Sequence, residues 1–169
     1  MSASLRTERL LLVPLTNSQL ERYLTDLPEL ERDLDLTLSR EVLTDRVRSA
    51  IQMKLVKMEA LDKEFHLWVT YWLVIVRAEN FGAGLAGFKG IPDARGSTEI
   101  GYGIDPSYQG KGYMTETVRA LVDWALDRPA CRIVTAIGVE NPASRRILEK
   151  LGAHLVFEDK AFTSWEFRR

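Results

Sequence analysis

The segment Tyr108-Gln109-Gly110-Lys111-Gly112-Tyr113-Met114-Thr115 constrains this chain more than any other. Before it, Thr98 to Ile104 reads as a strand that closes on Asp105-Pro106. After it, Met114, Val118, Leu121, Val122, Ala125 and Leu126 recur at helical spacing, so a helix is predicted from Met114 to Leu126. A strand, a glycine-rich loop and a helix in that order belong to an α/β fold. The first N–H groups of a helix lack partners and carry partial positive charge. Glycines let an anion approach them, and Lys111 adds a point charge, so Gln109 to Thr115 is a candidate anion cradle. The plain alternative is a tight turn. The P-loop spacing fails, because Gly112 follows Lys111 and the upstream glycine position holds Asp105.

The other elements fall around this centre. Arg9 to Leu15 reads as a first strand, with Pro14 suggesting an edge. Thr16 and Gln19 form a capping-box pattern for a helix near Asn17 to Asp26, and Pro28 opens another short helical piece. From Glu41 to Leu61, the spacing of Val47, Ala50, Ile51, Leu55 and Met58 predicts a helix. Phe65 to Val76 is aromatic and β-branched and reads as one strand. Leu85 to Ile91 and Thr98 to Ile104 are strands of a meander, followed later by a strand from Arg132 to Val139. Asn141 and Pro142 are suited to start a helix that stops at Gly152. Strands near Leu155 to Glu158 and Thr163 to Arg168 close the chain. No linker or repeat interrupts residues 1–169, so one domain is expected.

Several function classes recede. Lys plus Arg is 23 and Asp plus Glu is 24, a balance that offers no broad attraction for nucleic acid or an anionic membrane. Leu67 to Val76 is too short to span a bilayer, and Met1 to Arg9 does not read as a signal peptide, so a cytoplasmic location is expected. Cys131 is the single cysteine and has no visible histidine partner, and His66 and His154 lack metal-ligand spacing; no metal is expected. Gly82-Ala83-Gly84-Leu85-Ala86-Gly87 matches a dinucleotide fingerprint, but a strand follows it rather than a helix, so it reads as a hairpin turn. Trp68, Tyr71 and Trp72 read as core more readily than as an acceptor pocket.

Glu99 is the candidate base. Alternation puts Glu99, Gly101 and Gly103 on one face of their strand, and Ile100, Tyr102 and Ile104 on the other. The glycines leave room beside the carboxylate for an amine and a water.

In this order the motifs resemble those of the GNAT acetyltransferases, within them the RimJ/RimL-like branch. Gln109-Gly110-Lys111-Gly112-Tyr113-Met114 is similar to the family's phosphate-loop signature, with Met114 departing at the last position. The run from Val139 through Asn141 and Ser144 to Gly152 resembles its second signature, and Glu99-Ile100-Gly101-Tyr102 its β-bulge strand. The resemblance implies a sheet of about seven strands with about four helices, splayed between strands 4 and 5. It implies that acetyl-CoA binds as co-substrate: pyrophosphate on N–H groups from Gln109 to Thr115, pantetheine beside Tyr102, Gly103, Ile104 and Asn141, and the thiol near Ser144. Many members place a tyrosine acid where this chain has Leu148; in this branch the serine takes over, which makes Ser144 the candidate acid. The expected reaction is acetyl transfer to a primary amine, a protein N-terminus or a small molecule. A non-catalytic acyl-CoA-binding module is the alternative. Arg145 and Arg146 are set either toward the nucleotide's 3′-phosphate or toward solvent. The last strand leaves a possible homodimer edge.

Overall fold

A computed structural model of the chain describes residues 3–138 and 141–169. The end of the expected 132–139 strand at Val139, and with it the first two residues of the second signature, Val139 and Glu140, lie outside the described residues.

The first layer of helices is built by local capping. The Thr16 hydroxyl accepts from the N–H of Gln19, and the Gln19 side chain answers the Thr16 N–H, so the capping box starts α1 (Asn17–Thr25) after β1 (Leu5–Arg6) and β2 (Leu10–Pro14). Asp26 caps α2 (Leu27–Leu34), which has Pro28 in its first turn. A short β3 (Thr37–Leu38) follows, and Thr44 caps α3 (Asp45–Ala60), four residues later than the spacing of its apolar residues suggests.

Two expectations then fail for tertiary reasons. Phe65 to Val76 is not one strand: Lys63–Trp68 is a 3₁₀ turn, and only Trp72–Val76 is extended, as β4. Trp68 turns back onto Phe88 and Trp124, with ring centroids 5.3 and 4.7 Å away, so packing overrides local strand preference. His66 therefore sits in the turn, with Nε2 2.8 Å from the Met58 carbonyl oxygen. Nor is Gly82 to Gly87 a hairpin turn; it lies inside β5 (Phe81–Phe88). A Cβ at Gly84 would stand 2.5 Å from the Gly103 oxygen, and one at Gly87 2.5 Å from the Thr70 oxygen. These glycines admit neighbouring backbone, and β6 (Ser97–Ile104) follows where a nucleotide fingerprint needs a helix.

The chain continues as α4 (Tyr113–Leu126), β7 (Ile133–Gly138), α5 (Pro142–Lys150), β8 (His154–Glu158) and β9 (Thr163–Arg168). The strand order is β1-β2-β4-β5-β6-β7-β9-β8, with β3 alongside the start of β5. Nine strands and five α-helices among the described residues exceed the expected seven and four; the surplus strands are two-residue pairings. Pro14 is at the end of β2 rather than on an edge strand, because β1 and β4 flank it. The remaining contacts are antiparallel except β3–β5 and β6–β7.

One core, around Trp72, Phe88, Leu121, Val134 and Trp165, packs α4 and α5 on one face of the sheet. The other, around Leu20, Leu30, Ile51 and Leu73, packs α1 to α3 on the opposite face. β6 and β7 pair only from Ser97–Ile133 to Glu99–Thr135. Beyond Glu99, β6 stays with β5 and β7 with β9, so the sheet splits at the expected place.

Candidate active site

The split opens into a cavity of about 650 Å³, walled by the second half of β6, the end of β7, the start of α5 and one side of α3. Glu99, Tyr102, Gly103, Asn141 and Ser144 all line it, so the structure gathers residues that are up to 45 positions apart in sequence.

At the α5 end, Asn141 does as its position suggests: its Oδ1 accepts from the Ser144 N–H at 3.1 Å. The Ser144 hydroxyl is 2.7 Å from the Tyr102 hydroxyl. Burial raises the Tyr102 phenol above its ordinary range, a shift the Ser144 contact only partly offsets, so the phenol keeps its proton. Leu148 is buried in the core below, 2% exposed. Sequence reading assigned only the backbone of Tyr102; the signal available was an aromatic side chain between two glycines on a strand face opposite Glu99.

Glu99 is half-buried and ion-paired with the Lys89 ammonium across the β5–β6 hairpin. On the facing wall, Lys54 was missed altogether, because it interrupts no apolar spacing. It is buried, its Nζ donates to the Phe88 carbonyl at 2.8 Å, and it lies 4.4 Å from the centre of the Tyr71 ring. Burial, with smaller help from Lys57 and Lys89, lowers its pKa to about 7. Tyr71 lines the cavity too, whereas Trp68 and Trp72 belong to the α4-side core.

The glycine-lysine loop lies outside this cavity, where β6 runs out. Ile104 packs on the α4-side core, and Asp105 is buried, accepting from the Ser39 hydroxyl at 2.6 Å and the Ser107 N–H at 2.8 Å. The Ser39 bond foremost holds the Asp105 carboxyl below its usual range. Gly110 and Gly112 have φ of +74° and +81°, a left-handed conformation that favours glycine. Gly112 occupies the N-cap of α4 with no side-chain cap, so the first N–H groups of that helix, from Tyr113, Met114 and Thr115, stay open to an anion. Met114 buries its side chain, which reconciles its bulk with a role for its N–H alone. Gln109 and Lys111 are exposed, Lys111 beside the Tyr108 ring.

Arg9, at the head of β2, braces the loop: it donates to the Lys111 carbonyl at 2.9 Å, pairs with Glu116 at 2.8 Å and lies 4.5 Å from the Tyr113 ring centre. Arg145 is engaged by Glu149 and Glu158. The Cys131 thiol is buried, and burial raises its pKa.

The family profile described as "Acetyltransferase (GNAT) domain" matches residues 9–154. An N-acetyltransferase of Bacillus subtilis described as uncharacterized, YjdG, is 35% identical over 105 residues, 61% of this chain and 60% of the relative. The chain thus spans less than two thirds of that relative's length. The ribosomal-protein-S5-alanine acetyltransferase of Vibrio fischeri superposes with a TM-score of 0.65 at 18% identity, covering 98% of this chain and 96% of that one. RimL, a ribosomal L7/L12 α-N-protein acetyltransferase solved in complex with coenzyme A, superposes with a TM-score of 0.64 at 18% identity, covering 96% and 95%. At that identity the likeness is one of fold.

Proposed function

Because the chain belongs to the GNAT acetyltransferase family, we propose that it transfers the acetyl group of acetyl-CoA to a primary amine within a ternary complex. The observation that carries the reading is the convergence of Glu99, Tyr102 and Ser144 on one cavity at the split between β6 and β7. The open N-terminus of α4 stands where β6 ends, suited to the pyrophosphate of the donor. The acceptor is a peptide N-terminus or a small amine.

Glu99 accepts a proton from the acceptor ammonium, and the neutral amine attacks the thioester carbonyl. The attacking nitrogen gives its second proton to water, and collapse of the tetrahedral intermediate breaks the C–S bond. The Ser144 hydroxyl gives its proton to the departing thiolate and takes one from Tyr102. Water returns a proton to the phenol and takes the one held by Glu99, so one proton is released per turnover. Holding both substrates in one cavity supplies a large part of the rate by proximity.

The test is thiol release from acetyl-CoA against N-terminal peptides and small amines, with Glu99→Gln beside the parent chain. Amine-dependent release that falls by about 10²–10⁴ in the variant is expected. Acetyl-CoA binding with no release for any amine would favour the non-catalytic module.

A further inference from the structure

The acceptor side of the cavity carries a local charge excess that the whole chain does not. Overall the sequence has a net charge of −1. Yet Arg46, Lys54, Lys57 and Lys89 line the cavity, and Glu99 is the one carboxylate among the described lining residues. The cations are poorly neutralised. Lys54 and Lys57 donate to backbone carbonyls of Phe88 and Lys89, which carry no net charge. Arg46 has no carboxylate partner among the described residues, and it sits second in α3, where the helix dipole disfavours a positive charge. Its charge reaches the Tyr71 phenol across the cavity wall.

Lys89 is itself informative. Its primary ammonium occupies Glu99, the position that an acceptor ammonium must take to be deprotonated there. An incoming amine therefore breaks an ion pair and leaves Lys89 unpaired beside two further cations, Arg46 and Lys57, and the buried Lys54 amine. A polycation makes that worse. An amine with its own negative group re-pairs both ends.

We propose that the acceptor carries a carboxylate or phosphate a few bonds from its amine, the ammonium displacing Lys89 from Glu99 and the anion binding the freed Lys89 together with Arg46. This deepens the acetyl-transfer reading and rests on it. Fixed charges of one sign in a confined cavity select partners by charge and steer their approach. The chemistry is shared by acidic N-terminal peptides and by small amino acids.

The experiment uses matched acceptors with acetyl-CoA: peptides with Asp, Asn or Lys as second residue, and β-alanine against its amide. The anionic member of each pair is expected to show a kcat/KM at least about tenfold higher, an advantage that shrinks with salt. In the double variant Arg46→Ala, Lys89→Ala the advantage falls below about twofold, while KM for acetyl-CoA moves by less than about twofold. The pair with the larger advantage identifies the source of the anion. Equal or reversed preference overturns the proposal, as does a double variant in which KM rises for acetyl-CoA rather than for the acceptor. Calorimetric binding of the same acceptors to the CoA-saturated protein separates the two readings. Anionic preference without thiol release rejects the transfer reaction and keeps the anion site; equal affinity rejects the anion site whether or not thiol is released.

Discussion

The hydroxyls of Tyr102 and Ser144 lie 2.7 Å apart although the residues are 42 positions apart, one on β6 and the other in the first turn of α5. If the two act as one proton path, their losses are not additive. Tyr102→Phe and Ser144→Ala are each expected to lower kcat by about 10²-fold, and the double variant by little more than either. Because burial raises the Tyr102 phenol, its proton is lost only above the ordinary tyrosine range, so kcat should not fall on the basic side below about pH 10. Steady-state kinetics of the three variants across pH check both points.

Arg9 fixes the loop without lining the cavity. Its removal leaves the Lys111 carbonyl and Glu116 without their guanidinium partner. Arg9→Ala is expected to raise KM for acetyl-CoA about tenfold, with kcat at saturating donor nearly unchanged. Equal loss in kcat and an unchanged KM would place its effect elsewhere.

Lys54 links stability to pH. With a folded pKa near 7, well below the ordinary lysine value, it is neutral in the folded chain and protonated in the unfolded chain between those limits. The unfolded state then binds more protons, so stability rises with pH in that window, by at most about 1.4 kcal/mol per unit. Chemical denaturation at pH 6, 8 and 9.5 should show the parent gaining on Lys54→Met. A constant difference would mean that Lys54 stays charged.

Gly84 and Gly90 differ sharply in surroundings. A Cβ at Gly84 meets the Gly103 carbonyl, which is backbone and cannot swing away, whereas nothing stands within 4 Å at Gly90. Gly84→Ala is expected to cost about 1–3 kcal/mol by overpacking and to disturb the β6 wall of the cavity. Gly90→Ala should leave the melting temperature nearly unchanged. Thermal unfolding of both variants decides.

What sequence made legible was whatever a few neighbouring residues decide. Thr16 with Gln19, Asn141 with Pro142, and Gly110-Lys111-Gly112 ahead of an apolar stripe announce helix starts through local bonds and dihedrals. Glu99 was legible by alternation along its strand. The misses needed distant partners. Trp68 left the strand pattern for Phe88 and Trp124, and the β5 glycines answer to Gly103 and Thr70. Lys54 looks like any helical lysine until the ends of β4 and β5 close over it, and the Lys89 partner of Glu99 follows from hairpin register.

The parting of β6 from β7 after Glu99 also bears on the order of events. The open end of α4 is continuous with one face of the sheet, and the lysine-bearing side of α3 with the other. On the proposed transfer reading, donor and acceptor would reach the split from opposite faces of the sheet. On that reading neither would have to leave before the other enters, and initial-rate plots should intersect rather than run parallel. A saturating acceptor should not shut the donor out.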